Sequence, residues 1–264
     1  MKKIISFLIG SFLLCMFFLS DLNIVNASSS TLSRDENELS ESSQLNFAKL
    51  RNDTGFVLSS PKHWNNSEWN SFFLYGGGTY LIYKNDNHIR NWFQDRHSND
   101  GNRIARFGNA FPITGLIYMG GTYFLGNEKQ RQVSTVGLES AFSTLVVTEM
   151  IKTIVSRDRP SRNKENDSFP SSHTAVAFSL ATVIANEYKD DKYAGPVAYG
   201  LATVTGLSRL YDNRHWASDV FAGGLIGYYT TKTIIKLNAD PKSDIKVQPF
   251  VDASKAGMLL KKNL

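Results

Sequence analysis

Residues 169–189 read FPSSHTAVAFSLATVIANEYK. Pro170, Ser171 and Ser172 stand where a helix begins, and Ala175, Val176, Phe178, Leu180 and Ile184 then recur at the spacing of one apolar helix face. The same texture extends to both sides. Apolar helical segments cover roughly 103–125, 132–155, 172–189, 193–210 and 216–237, divided by short polar breaks and without a period-two strand series. The expected fold is all-α, a helical bundle occupying residues 61–237.

The flanks read differently. Between Trp64 and Phe93 lies an aromatic section, with Trp69, Phe72, Phe73, Tyr75, Tyr80, Tyr83 and Trp92, interrupted by Gly76, Gly77 and Gly78. It predicts short helices and turns capping the bundle, with the rings as packing or, alternatively, at a substrate entrance. Residues 28–60 are polar and serine-rich and predict an extended, partly disordered lead-in. At the N-terminus Lys2 and Lys3 precede an apolar run over 4–19, which predicts a signal peptide over 1–27 cleaved after Ala27, the alternative being a retained anchor. Cleavage removes Cys15, the only cysteine, and with it any disulfide or thiol nucleophile. Residues 238–264, with Pro241 and Pro249, read as a polar tail along the surface or loose in solvent.

The 264 residues are 42% hydrophobic and 20% charged, with a net charge of +5. That composition fits one domain with a polar extension. The basic residues form no stripe with interleaved aromatics, which argues against nucleic acid as a partner and leaves an anionic small substrate or an anionic lipid surface. Apolar runs such as PITGLIYMGGTYFLG (112–126) fall short of the roughly 20 residues of a spanning helix. With a mean hydropathy of −0.25 they favour a soluble bundle. A helix lined by catalytic groups also reads as less apolar than a lipid-facing one, so the membrane alternative stays open.

Three segments carry chemistry: KTIVSRDRP from Lys152, FPSSHT from Phe169 and SRLYDNRHWASD from Ser208. Lys152 and Arg159, seven apart, share a helix face if the helix persists to Pro160, and suit a phosphate as point charge and fork; the alternative is a solvated basic helix end with Arg157 balanced by Asp158. Ser171 or Ser172 at a helix start, with free N–H groups, makes an anion site beside His173, or simply a cap beside a surface histidine. His215 and Asp219 are four apart, so on one helix a carboxylate would hold one ring nitrogen protonated and turn the other outward as nucleophile or base. Arg209 adds a fork of donors that Ser208 can position. Metal ligation is the lesser reading, because His63, His88 and His97 are not at ligand spacing. Together Lys152, Arg159, Arg209 and the amides near Ser172 would hold a phosphate during in-line transfer, with His215 attacking and His173 serving as acid and then base.

These segments resemble the tripartite signature of the phosphatidic acid phosphatase type 2 (PAP2) family, with bacterial class A acid phosphatases and vanadium haloperoxidases in the same superfamily. Lys152, Arg159 and Pro160 match its first part; Pro170, Ser171 and His173 its second; Ser208, Arg209, His215 and Asp219 its third. Ser172 stands where the signature has glycine. The resemblance implies a helical bundle and a metal-independent phosphatase with no cofactor, acting through a phosphohistidine. The expected role is an exported enzyme of phosphate monoesters, in the periplasm or outside the cell. The alternatives are a membrane-associated phosphatase of lipids such as phosphatidate, phosphatidylglycerol phosphate, undecaprenyl diphosphate or lipid A phosphate, and a vanadium-dependent haloperoxidase.

Overall fold

The computed structural model describes residues 45, 47–161 and 166–239, and the backbone of 245–252 and 255–262. The expected signal peptide, and the polar lead-in as far as residue 44, lie outside the described residues. The helices are α1 (Phe47–Ser59), α2 (Asn66–Gln94), α3 (Asn99–Leu125), α4 (Glu128–Val155), α5 (Ser172–Glu187), α6 (Ala194–Tyr211) and α7 (Ala217–Ala239), with a 3-10 turn, Ser60–His63, between α1 and α2. The all-α expectation is met by this body. The end of the chain departs from it: β1 (Ile245–Asp252) and β2 (Lys255–Lys262) pair antiparallel, from Ile245 opposite Lys262 to Asp252 opposite Lys255, where the sequence predicts a polar tail along the surface or loose in solvent. Pro249 does not prevent this, since both strands of a two-stranded ribbon are edges and an edge admits proline.

The starts of the long helices are written locally. Asn65 accepts hydrogen bonds from the Ser67 and Glu68 amides at 2.9 and 3.1 Å, while Glu68 accepts from the Asn65 amide at 2.8 Å. Asn127 and Gln130 form the same reciprocal cap on α4.

Two expectations need correction. Residues 66–94 form one 29-residue helix rather than short pieces. The glycine triplet inside it is tolerated because helix packing outweighs a propensity cost of about 1 kcal/mol per glycine: Tyr75 meets the Tyr229 ring at 5.7 Å and Gly78 lies against Phe221. The end of the lead-in is likewise helical. α1 buries Leu50 to 2% exposure, and Lys49 ties it to α4 and α7 through Glu139 at 2.9 Å and Asn238 at 3.0 Å. Burial pushes the Glu139 carboxyl up to about 7.

Helix α5 is the central element, packed on α3, α4, α6 and α7. Its apolar face joins Val176, Leu180 and Val183 to Met119 of α3 and Leu138 and Ala141 of α4, and its Ala177 and Ala181 meet Ala198 and Ala202 of α6. On α7 the contact is backbone to backbone. A Cβ at Gly223 would stand 2.6 Å from the Ser171 carbonyl oxygen, and one at Gly227 would run into the Ala175 carbonyl. This approach brings the starts of α5 and α7 together, at the end of the bundle where α4 and α6 finish.

Candidate active site

His215 lies in the bend between α6 and α7 and is 3% exposed. Its Nδ1 is 2.7 Å from the carbonyl oxygen of Ser168. A carbonyl only accepts, so Nδ1 carries the proton and Nε2 presents its lone pair. The sequence assigned this orienting role to Asp219, but Asp219 Oδ2 is 3.8 Å from Nδ1. The reason is where the helix begins. α7 starts at Ala217, so His215 precedes it and the i, i+4 geometry of a continuous helix does not apply. Asp219 instead accepts from the Trp216 amide at 2.8 Å, from Ser168 Oγ at 2.5 Å and from Arg157 at 2.5 Å.

Arg157 is the main residue the sequence reading missed. It was paired there with Asp158, yet its guanidinium bridges Asp219 and Asp86, the latter at 2.7 Å, between the rings of Tyr83 and Trp216. Asp86, buried on α2, also accepts from the Ser218 amide at 3.0 Å and the Ser218 hydroxyl at 2.6 Å, so it caps α7 from outside. Asp86 and Arg157 are separated in sequence by α3 and α4, and no local pattern marks the pair.

The three expected phosphate-binding cations are all buried: Lys152 at 9%, Arg159 at 8% and Arg209 at 7% exposure. Lys152 closes α4 and sits 3.3 Å from Glu149. Arg159 makes two bonds to Asp167, at 2.8 and 3.0 Å. Arg209, in the last turn of α6, donates to Asn109 of α3 at 2.6 Å, and Ser208 donates to the same oxygen at 2.9 Å. Arg209 Nε is buried with no hydrogen-bond partner among the described residues. Asn109, Glu149 and Asp167 were not expected from the sequence.

At the start of α5 the amides of Ser172, His173 and Thr174 lack intrahelical acceptors by helix geometry, and Ser171 makes no side-chain cap to them. They form an open anion seat. Ser171, expected to bind phosphate, is turned into the fold: its amide donates to the Asp219 carbonyl at 3.0 Å and its hydroxyl accepts from Thr174 at 3.0 Å. Ser172 keeps its amide at the seat while its hydroxyl donates to Glu149 at 3.0 Å.

Burial, then the charges of Arg209, His215, Lys152 and Arg159, hold His173 well below the ordinary imidazole range, and burial takes His215 down to about 4. Burial also lowers Lys152, and it lowers Arg209 to about 10. For Asp219 burial alone acts upward, but His215, Arg157 and Ser168 outweigh it and keep the carboxyl below its usual value. The result is a cluster of buried cations around two imidazoles held below their ordinary range, a setting that favours an anion. Among the described residues no group of three or more His, Cys, Asp or Glu side chains could hold a metal ion.

Residues 135–241 match the model of the PAP2 superfamily. This stretch is a PAP2 superfamily domain. It contains Lys152, Arg159, His173, Arg209, His215 and Asp219, whereas Asp86 and Asn109 are supplied from helices before it. The lipid A 1-phosphatase of Porphyromonas gingivalis is 44% identical over 72 residues, which cover 27% of this chain and 16% of that protein. The crystal structure of the first transmembrane PAP2 type phosphatidylglycerolphosphate phosphatase from Bacillus subtilis is similar in fold, with a TM-score of 0.53 and 17% identity over 67% of this chain and 97% of that one. For Aquifex aeolicus LpxE the TM-score is 0.47, at 21% identity over 57% of this chain and 94% of that one.

Proposed function

We propose that this chain hydrolyses lipid phosphate monoesters through a phosphohistidine formed on His215. The observation that carries the reading is the convergence of Lys152, Arg159, Arg209 and the uncapped start of α5 on two imidazoles. His215 Nε2 attacks phosphorus while Nδ1–H remains on the Ser168 carbonyl. The bond from phosphorus to the leaving oxygen breaks in line, and His173 gives that oxygen a proton. The neutral His173 acquires this proton from a phosphate monoanion, whose negative charge offsets the cations that depress it. The positive charge of the phosphorylated ring faces Asp219, 3.8 Å away. Water then attacks phosphorus and yields its proton to His173, the P–N bond breaks, and phosphate leaves.

Two observations support a lipid rather than a water-soluble ester. One is the stretch of 44% identity to a lipid A 1-phosphatase. The other is the set of large apolar side chains exposed on α2 and α3, Leu74, Leu81, Ile104, Phe107, Ile117 and Leu125, the last to 90%. An apolar surface of this kind marks contact with another apolar phase. No helix among the described residues is long and apolar enough to cross a membrane, so the contact proposed is with the bilayer surface. The lysine-led apolar run at 4–19 supports export and, with it, a site on the outer side of the cytoplasmic membrane.

Phosphate release by the purified full chain, in EDTA, tests this against phosphatidate, phosphatidylglycerol phosphate, lipid A phosphate and undecaprenyl diphosphate in mixed micelles, beside p-nitrophenyl phosphate and nucleotides. Faster turnover of the lipid monoesters is expected. Turnover confined to water-soluble esters would return the enzyme to the soluble acid phosphatase class, and no release from any ester would remove the phosphatase reading.

A further inference from the structure

At the mouth of the site Ser172, the residue that departs from the signature glycine, is engaged by a side chain with no role in the mechanism above. Glu149 Oε1 accepts from Ser172 Oγ at 3.0 Å and lies 3.3 Å from Lys152 Nζ. We propose that Glu149 is a specificity-determining residue: held in place by the Ser172 hydroxyl, its carboxylate takes the place of a phosphoryl oxygen against Lys152, so a phosphate enters by displacing it, and anions of higher charge are disfavoured. The inference rests on the reading of Lys152 as a phosphate ligand.

The local physics accounts for such a device. A carboxylate near the C-terminus of α4 meets the negative end of the helix dipole, so its own helix does not favour it there. Lys152, one turn on, and the Ser172 hydroxyl at the positive start of α5 hold it in place. The pair is asymmetric: the Glu149 side chain is 44% exposed and that of Lys152 only 10%. Glu149 can therefore swing into water at little cost while Lys152 stays at the seat. Once displaced, Glu149 remains within reach of whatever extends beyond the first phosphoryl group. It repels a second phosphoryl more than a neutral lipid stem, which selects monophosphates over diphosphates and weakens retention of the phosphate product.

Binding of inorganic phosphate and pyrophosphate, measured by calorimetry on the full chain and on E149Q, S172G and the double variant, tests this. E149Q is expected to tighten phosphate binding about tenfold and pyrophosphate binding by more. S172G, which unhooks Glu149 from α5, should act in the same direction but less. The double variant should match E149Q, because the serine acts through the glutamate. Unchanged or weaker binding in E149Q, or effects that multiply independently in the double variant, would overturn the proposal. Calorimetry needs no turnover, so the two readings fail separately: wild-type turnover in H215A removes the phosphohistidine, and unchanged E149Q affinities remove this role for Glu149.

Discussion

His215 is oriented by a backbone carbonyl, which no substitution removes, and Asp219 acts on it across 3.8 Å. This division of labour sets what each variant does. D219N keeps an acceptor for the Trp216 amide and leaves the Ser168 bond to His215 intact, but it loses the charge that faces the phosphorylated ring and pairs with Arg157. The expected result is a slower enzyme, down roughly 10²-fold in kcat with a smaller change in KM, read by steady-state kinetics. The buried neutral histidine also has a signature in stability. Its folded value, about 4, lies below its ordinary 6.5, so the unfolded chain binds more protons between these limits and the stabilising contribution is lost as pH falls through that window. The size is roughly 3 kcal/mol at most. Glu139, raised to about 7, works in the opposite direction between its ordinary 4.5 and 7, so the effect is isolated as a difference. The melting temperature of the wild type relative to H215Q should fall from pH 6.5 to 4; a constant difference would contradict the buried neutral state.

At the scale of elements, the meeting of α5 and α7 builds the site, because it brings the uncapped start of α5 and His215, the proposed nucleophile, to one end of the bundle. Gly227 permits that meeting, whereas Gly76 on α2 has nothing within 4 Å of a would-be Cβ. Gly227→Ala should lower the melting temperature, with a cost of about 1–3 kcal/mol, and Gly76→Ala should raise it by up to about 1 kcal/mol of stability. Equal effects from the two would refute the packing described. The helices from α3 to α7 were legible in the sequence to within a few residues because their apolar periodicity and polar breaks are local signals. Helix α2 was not, since its glycine triplet reads as a break and only packing against α7 overrides it. The site divides in the same way. Lys152, Arg159, Arg209, His173 and His215 lie in short motifs and could be read, while Asp86, Asn109, Glu149 and Asp167 enter through tertiary contacts that no spacing encodes. The His215–Asp219 spacing misled for a related reason, because it assumed a helix that begins two residues too late.

For the whole molecule, the exposed apolar residues of α2 and α3 and the site at one end of the bundle are parts of one proposal, an enzyme that works on a phosphate presented at a lipid surface. Sedimentation with vesicles should retain the chain, and Leu81→Glu together with Ile117→Glu should release it while leaving hydrolysis of p-nitrophenyl phosphate unchanged. Retention of that double variant would show that this surface does not carry the contact. The central claim is the covalent intermediate, and rapid quenching during turnover of phosphatidate labelled in its phosphate tests it most directly. The account predicts an acid-labile, base-stable label on the protein that maps to His215 and is absent from H215A. Full turnover with no protein-bound label, or a label on another residue, would contradict it.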